Sequence, residues 1–225
     1  MANRRAHHRS RLSRRVPGPR VTAELRGRPA PAGIPRVALL EPDELTADQK
    51  LLYTTITDGP RRTQTSQVPL TDPEGRLLGP FGLMLLHTRL GSVVQALGAA
   101  LRFDDTFTAR ERELAILTVA ACRASEFEWL AHENAARAAG LTSRQLQQVL
   151  DAEVPEGLAP PEEAIVALVR RLIIERGLND DLYADATNLL GHDRLAALVW
   201  LVGYYEMLAV ALATFRPPLR TEDTP

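Results

Sequence analysis

Apolar residues along this chain recur three and four positions apart, and almost nowhere at the alternation of a strand. Thr46 and Gln49 have the spacing of a capping box and open a helix to about position 56. Segments 81–87 and 90–102 carry apolar residues at helical spacing. Thr108 with Glu111 is a second capping box, and its helix runs to about 123. Ser125 with Glu128 is a third, with a stop at Gly140. Thr142 begins a short helix to about 152, and a proline-rich break follows at 155–161. A helix over 161–176 stops at Gly177, and one over 180–190 stops at Gly191. The long apolar run 193–215 ends at Pro217 and Pro218. The pattern predicts an all-α bundle of seven to nine helices with almost no strand. Residues 58–79 hold Gly, Pro, Thr, Ser and Asp clusters and read as a long loop, a length that is often functional.

Composition adds a boundary. The chain has 225 residues, 45% hydrophobic and 24% charged, as expected of a globular protein with a large core. Its net charge of -1 conceals an asymmetry: residues 1–36 carry ten Arg and one Glu, so +9 there leaves -10 for the rest. Residues 1–33 show no apolar period and read as a disordered Arg-rich tail, leaving 34–225 as a single all-α domain. No aromatic residue precedes Tyr53, so base stacking is unsupported and no nucleic-acid partner is expected. No apolar segment of a secretory signal follows the first arginines. The single cysteine, Cys122, excludes an intrachain disulfide and fits a cytoplasmic protein. Residues 195–215 are long and apolar enough to span a membrane. Glu206, Gly203 and the Tyr204-Tyr205 pair interrupt that run, however, and it reads as the central buried helix of the bundle.

Candidate chemistry concentrates at Glu113, Glu128 and His132. Glu128 and His132 are four apart and share a helix face. Glu113 falls with Ile116, Leu117 and Ala120 on the apolar face of the preceding helix, where a carboxylate needs a partner. Two carboxylates beside one imidazole suit proton transfer. Glu128 has a plainer reading as the third residue of the Ser125 capping box, and His132 one as a structural histidine. Glu111 and Arg112 sit off the apolar face and read as solvated. Cys122 reads as a small core residue, late in a helix and so at the wrong end for a reactive thiolate. His132 and Glu128 lack a third metal ligand nearby, and position 136 is Ala where a zinc-protease motif has its second histidine, so no metal site is expected. There is no phosphate-binding glycine loop and no Gly-x-Ser-x-Gly elbow.

The run Arg112-Glu113-Leu114-Ala115-Ile116-Leu117, followed by Glu126-Phe127-Glu128-Trp129-Leu130-Ala131-His132-Glu133, resembles the carboxymuconolactone decarboxylase family, which includes alkylhydroperoxidase D. Leu78-Gly79-Pro80-Phe81 and Gly203-Tyr204-Tyr205 are weaker matches, and the resemblance covers about 42–218. It implies an alkylhydroperoxidase D-like all-α fold, a homo-oligomer (trimer or hexamer) with the long apolar helix at a subunit interface, and a pocket near Glu113 and His132. In the peroxidase branch a glutamate precedes a Cys-x-x-Cys pair and a histidine. Aligned on His132, the glutamate falls on Glu113, but the cysteines fall on Ser125 and Glu128. A dithiol cycle needs both thiols. The decarboxylase branch implies a cofactor-independent lyase or isomerase acting on a small lactone or carboxylic acid. His132 would be the general acid/base, Glu113 its orienting partner and Glu128 a second base. A thiol redox protein using Cys122 and a non-catalytic oligomeric binding protein are the alternatives. An anionic substrate needs a cation, and Arg112, Arg123 and Arg137 are the nearby candidates.

Overall fold

The structure is a computed structural model that describes residues 34–59 and 68–218. The Arg-rich segment 1–33 and positions 60–67 of the long loop lie outside the described residues. Eight α-helices are present among the described residues: α1 (Ala47–Thr57), α2 (Gly79–Met84), α3 (Thr88–Phe103), α4 (Ala109–Arg123), α5 (Glu126–Ala138), α6 (Ser143–Leu150), α7 (Pro160–Glu175) and α8 (Asp180–Phe215). Single 3-10 turns precede α1 and join α2 to α3. The β structure among these residues is an isolated bridge between Thr71 and Leu77, which pins the described end of the long loop.

The helix boundaries follow local chemistry. Thr46, Thr108 and Thr142 each accept from the backbone N–H three residues on, and Gln49, Glu111 and Gln145 return the bond to the cap's own N–H. Asn179 caps α8 by accepting from Leu182 N–H at 3.0 Å. Gly191 interrupts α8 with φ 79 and ψ 165, so the break expected there is present as a kink between two continuous helical arms. At the end of α7 the left-handed residue is Arg176 (φ 60), not Gly177. The chain turns one residue earlier than the glycine indicates, because a left-handed C-terminal residue can be non-glycine at modest cost.

The third expected capping box does not form. Ser125 is the residue before α5, but its side chain makes no capping bond. Instead α4 ends on Ala124 in the left-handed conformation (φ 48), with Ser125 N–H donating to Ala120 O at 2.9 Å. That tight reversal lays α5 back on α4 and leaves the Glu128 side chain for the interior.

The centre of the bundle is α4, not the long helix. Leu114, Ala115, Ile116, Leu117, Thr118, Val119 and Ala120 are all buried, around the full turn of the helix. Ala115, Ile116 and Val119 join a cluster with Ile165, Leu168, Leu198 and Leu201, while Leu114 and Leu117 join another with Leu146, Val149 and Val166. The small residues at 115, 120 and 121 let neighbours approach on every side. α8 was expected to be central on its apolar length. It packs one face inward and leaves Val199, Trp200, Met207 and Val210 exposed. Among the described residues it is the one helix long and apolar enough to cross a membrane, with half of its most apolar window buried in the fold. Apolar composition measures how much a helix can bury, but α4 wins the centre because it is thin and short.

Gly79 shows the tightness of the packing around α5. It has φ 57, and a Cβ there would overlap the Phe127 ring at the start of α5. Gly79→Ala is expected to destabilise the protein by about 1–3 kcal/mol, the usual cost of overpacking, measured as a shift of the urea midpoint at unchanged slope. A change within error would mean that the Phe127 ring yields freely.

Candidate active site

Four helices converge on His132. It lies on α5 with 11% of its side chain exposed, and its neighbours come from α3, α4, α5 and α8. Glu113 of α4, 2% exposed, faces His132 Nδ1 with Oε2 at 2.8 Å. Its other oxygen, Oε1, accepts a charge-assisted hydrogen bond from Arg102 Nη1, at the end of α3. Arg102 Nη1 also lies 3.4 Å from His132 Nδ1. On the far side of the ring, Tyr205 OH of α8 is 3.3 Å from Nε2, and Glu128 Oε2 is 3.8 Å from it. The Tyr205 ring meets the imidazole edge-on, with centroids 5.3 Å apart.

The structure therefore brings together all three residues expected from the sequence. Glu113, Glu128 and His132 are each buried, and Glu128 serves this cluster rather than a capping box. Glu111, read as solvated, is instead buried: it accepts from Arg194 at 2.6 Å, and Arg194 lies over the Phe107 ring. It ties α4 to α8 and stands outside the cluster. The three arginines considered as cations are engaged elsewhere. Arg112 donates to Asp104 O, Arg123 pairs with Glu206, and Arg137 bonds Glu133 and Ser143.

Arg102 and Tyr205 are additions that the sequence reading did not assign to the site. Arg102 was the last residue of an expected helix, where a basic side chain ordinarily serves the helix C-terminus. A signal was available: Gly91, Gln95, Gly98 and Arg102 follow a 4-3-4 spacing, and the first three are the buried residues of α3. Tyr205 lay within the Gly203-Tyr204-Tyr205 match, with no partner visible from sequence.

The electrostatics assign the protons. Burial raises the Glu113 carboxyl, but the hydrogen bond from His132 and the neighbouring His132 and Arg102 outweigh it and hold the carboxyl below its ordinary value. Burial first, and then the Glu128 charge, push the Tyr205 phenol well above its ordinary value, so it keeps its proton. An ionised Glu113 at 2.8 Å accepts a hydrogen bond, so Nδ1 carries a proton. Arg102 Nη1 and Nδ1–H then both donate to Glu113 and lie side by side. Nε2 faces the Tyr205 hydroxyl and the Glu128 carboxylate.

Among the described residues, no group of three or more His, Cys, Asp or Glu is arranged to hold a metal ion. Arg102 already occupies the position where a cation would neutralise Glu113. Cys122 is half-buried, and burial pushes its thiol up to about 11. At pH 8 only about a thousandth of it is thiolate. Cys122 is expected to resist hydroperoxide and to alkylate appreciably only as pH approaches 11, measured as iodoacetamide incorporation against pH. Rapid alkylation at pH 7 would reverse this assignment.

The model of the carboxymuconolactone decarboxylase family matches residues 89–171, a stretch that contains Arg102, Glu113, Glu128 and His132. No curated protein matches the chain. Among solved structures, a peroxidase-related protein with the alkylhydroperoxidase AhpD core, from Ralstonia eutropha JMP134, is similar with a TM-score of 0.64. It is 14% identical, and the match covers 85% of this chain and 95% of that one. Over residues 89–171, from α3 to α7, this chain matches the model of the carboxymuconolactone decarboxylase family, and its fold is that of the AhpD core.

Proposed function

We propose that this site is a cofactor-independent proton-transfer centre acting on a small lactone or carboxylic acid, by decarboxylation or isomerisation. The observation that carries the reading is the pair at 2.8 Å between buried Glu113 and His132 Nδ1, which leaves Nε2 as the working nitrogen. His132 is the general acid/base, Glu113 orients it, and Glu128 is a second carboxylate on the Nε2 side. Loss of carbon dioxide from a β-activated acid leaves its electron pair as an enolate, and His132, once Nε2 has taken up a proton from solvent, protonates that enolate at carbon and returns to its neutral form. Arg102, 12% exposed beside a His132 that is 11% exposed, is the cation available to an anionic substrate or its enolate.

The test is carbon dioxide release from carboxymuconolactone by the intact protein and by His132→Ala. Release that depends on His132 supports the decarboxylase form of the proposal. Absence of release from both, with His132-dependent exchange of an α-proton into deuterated water on a related lactone, supports the isomerase form. Absence of both reactions ends the proposal. A thiol peroxidase is not favoured, because the positions of a dithiol pair hold Ser125 and Glu128 and the one thiol is pushed to about 11.

The proposal extends to assembly and location. Leu90, Val93 and Leu97 on α3, and Trp200, Met207 and Val210 on α8, expose apolar helix faces of the kind that pack between subunits. We place the protein in the cytoplasm as a homo-oligomer, a trimer or hexamer, joined through these faces. Its small-molecule substrate is then its partner, with no nucleic acid or membrane required.

A further inference from the structure

We infer that Tyr205 is a positioning residue of this site: its phenol donates to His132 Nε2, fixes the imidazole as the Nδ1–H tautomer, and presents Nε2 as a neutral base. The inference deepens the proton-transfer reading, and its catalytic meaning rests on that reading.

A neutral imidazole carries one N–H. Glu113, ionised and 2.8 Å from Nδ1, claims it. Nε2 therefore has a lone pair, and the group 3.3 Å from it is the Tyr205 hydroxyl, buried on α8. The hydroxyl needs an acceptor inside the fold, and Nε2 supplies one. The phenol thus completes a chain from Glu113 through His132 to Tyr205, each link formed by a residue of a different helix.

Glu113, Glu128, Arg102 and Tyr205 face the imidazole, and they pull its proton affinity in different directions. Glu113 of α4 and Glu128 of α5 favour the cation, while Arg102 of α3 disfavours it. Tyr205 of α8, as a donor to the lone pair, favours the neutral form. When Nε2 takes a proton from substrate, the Tyr205 bond as drawn is lost. The new N–H can turn toward Glu128 Oε2, 3.8 Å away, or donate to the phenol oxygen after the hydroxyl rotates. The same nitrogen thereby has one partner for its neutral form and another for its charged form. That arrangement lets a buried histidine cycle a proton without a change in the fold.

The test reads the histidine directly, without substrate. Imidazole 15N shifts of the full chain are followed against pH in the wild type, in Tyr205→Phe and with 3-fluorotyrosine placed at 205. The wild type is expected to show a protonated Nδ1 and a bare Nε2 in its neutral form. Removing the hydroxyl is expected to raise the proton affinity of Nε2 about three- to tenfold, the worth of one hydrogen bond. The fluorinated phenol, a stronger donor, is expected to lower it. A merely structural tyrosine would not produce opposite signs in the two variants. A wild-type imidazole protonated at Nε2 overturns the inference, and so does an affinity unchanged or shifted the same way in both variants. Should Tyr205→Phe fail to fold, the fluorinated chain alone decides the sign. The outcome is separate from the proposed activity: a protein that turns over no lactone still shows or lacks this tautomer.

Discussion

Glu113→Ala is expected to lower the free energy of unfolding by about 3–5 kcal/mol, the cost of removing one partner from a buried ion pair. Glu113 is 2% exposed, and both its oxygens are engaged, one by Arg102 and one by His132. Alanine leaves Arg102 with a buried charge and no carboxylate, and leaves His132 Nδ1–H without its acceptor. It also opens a void where a side chain 2% exposed had been. Glu113→Gln keeps the volume and separates the charge term from the packing term. The sign with pH follows from the direction of the shift. The folded carboxyl lies below its ordinary value of 4.5, so its stabilisation is fully present above that value. It is lost as pH falls through the lower value held in the fold. Urea denaturation between pH 7 and pH 3 should show a larger loss in the wild type than in Glu113→Gln, where Glu111, also held below its ordinary value, still contributes. A Glu113→Ala variant within about 1 kcal/mol of the wild type, the range of an exposed pair, would mean the pair is effectively solvated.

His132→Ala is expected to lower kcat/KM on the confirmed substrate by about 10²–10⁴, the usual contribution of a general acid/base. The loss should fall mainly on kcat, because the imidazole acts on the proton in transit rather than on the bound ground state. Its structural cost should be smaller than that of Glu113→Ala. Arg102 still pairs with Glu113, and the Tyr205 hydroxyl is left in a site opened by the missing ring. Steady-state kinetics beside thermal melts separate the two effects. Turnover within threefold of the wild type would remove His132 from the mechanism, whatever the melts show.

The legible and illegible parts of this site differ in a physical way. Glu113 could be found because a carboxylate on the apolar face of a helix contradicts its surroundings. His132 and Glu128 could be found because i, i+4 spacing decides which side chains meet on a helix. The reading of Glu128 as a cap was also reasonable from spacing. It failed because the left-handed Ala124 reverses the chain so tightly that Ser125 makes no capping bond. Arg102 and Tyr205 were invisible as partners, being 30 and 73 residues from His132. No local rule links positions so far apart. Glu111 was misplaced for the same reason: its burial depends on Arg194, which is 83 residues away.

By itself, then, the sequence determined what is local. Helical period, threonine caps and proline stops set an all-α fold and most of its boundaries, because each depends on contacts within a few residues. It also determined that carboxylates and an imidazole would lie on inward faces, since burial follows from periodicity. The tertiary structure decided which helix took the centre and which residues completed the site. Hydropathy ranked α8 first, but close packing on all sides favoured the small residues of α4. Tertiary packing alone brought the end of α3 and the middle of α8 to opposite edges of one imidazole.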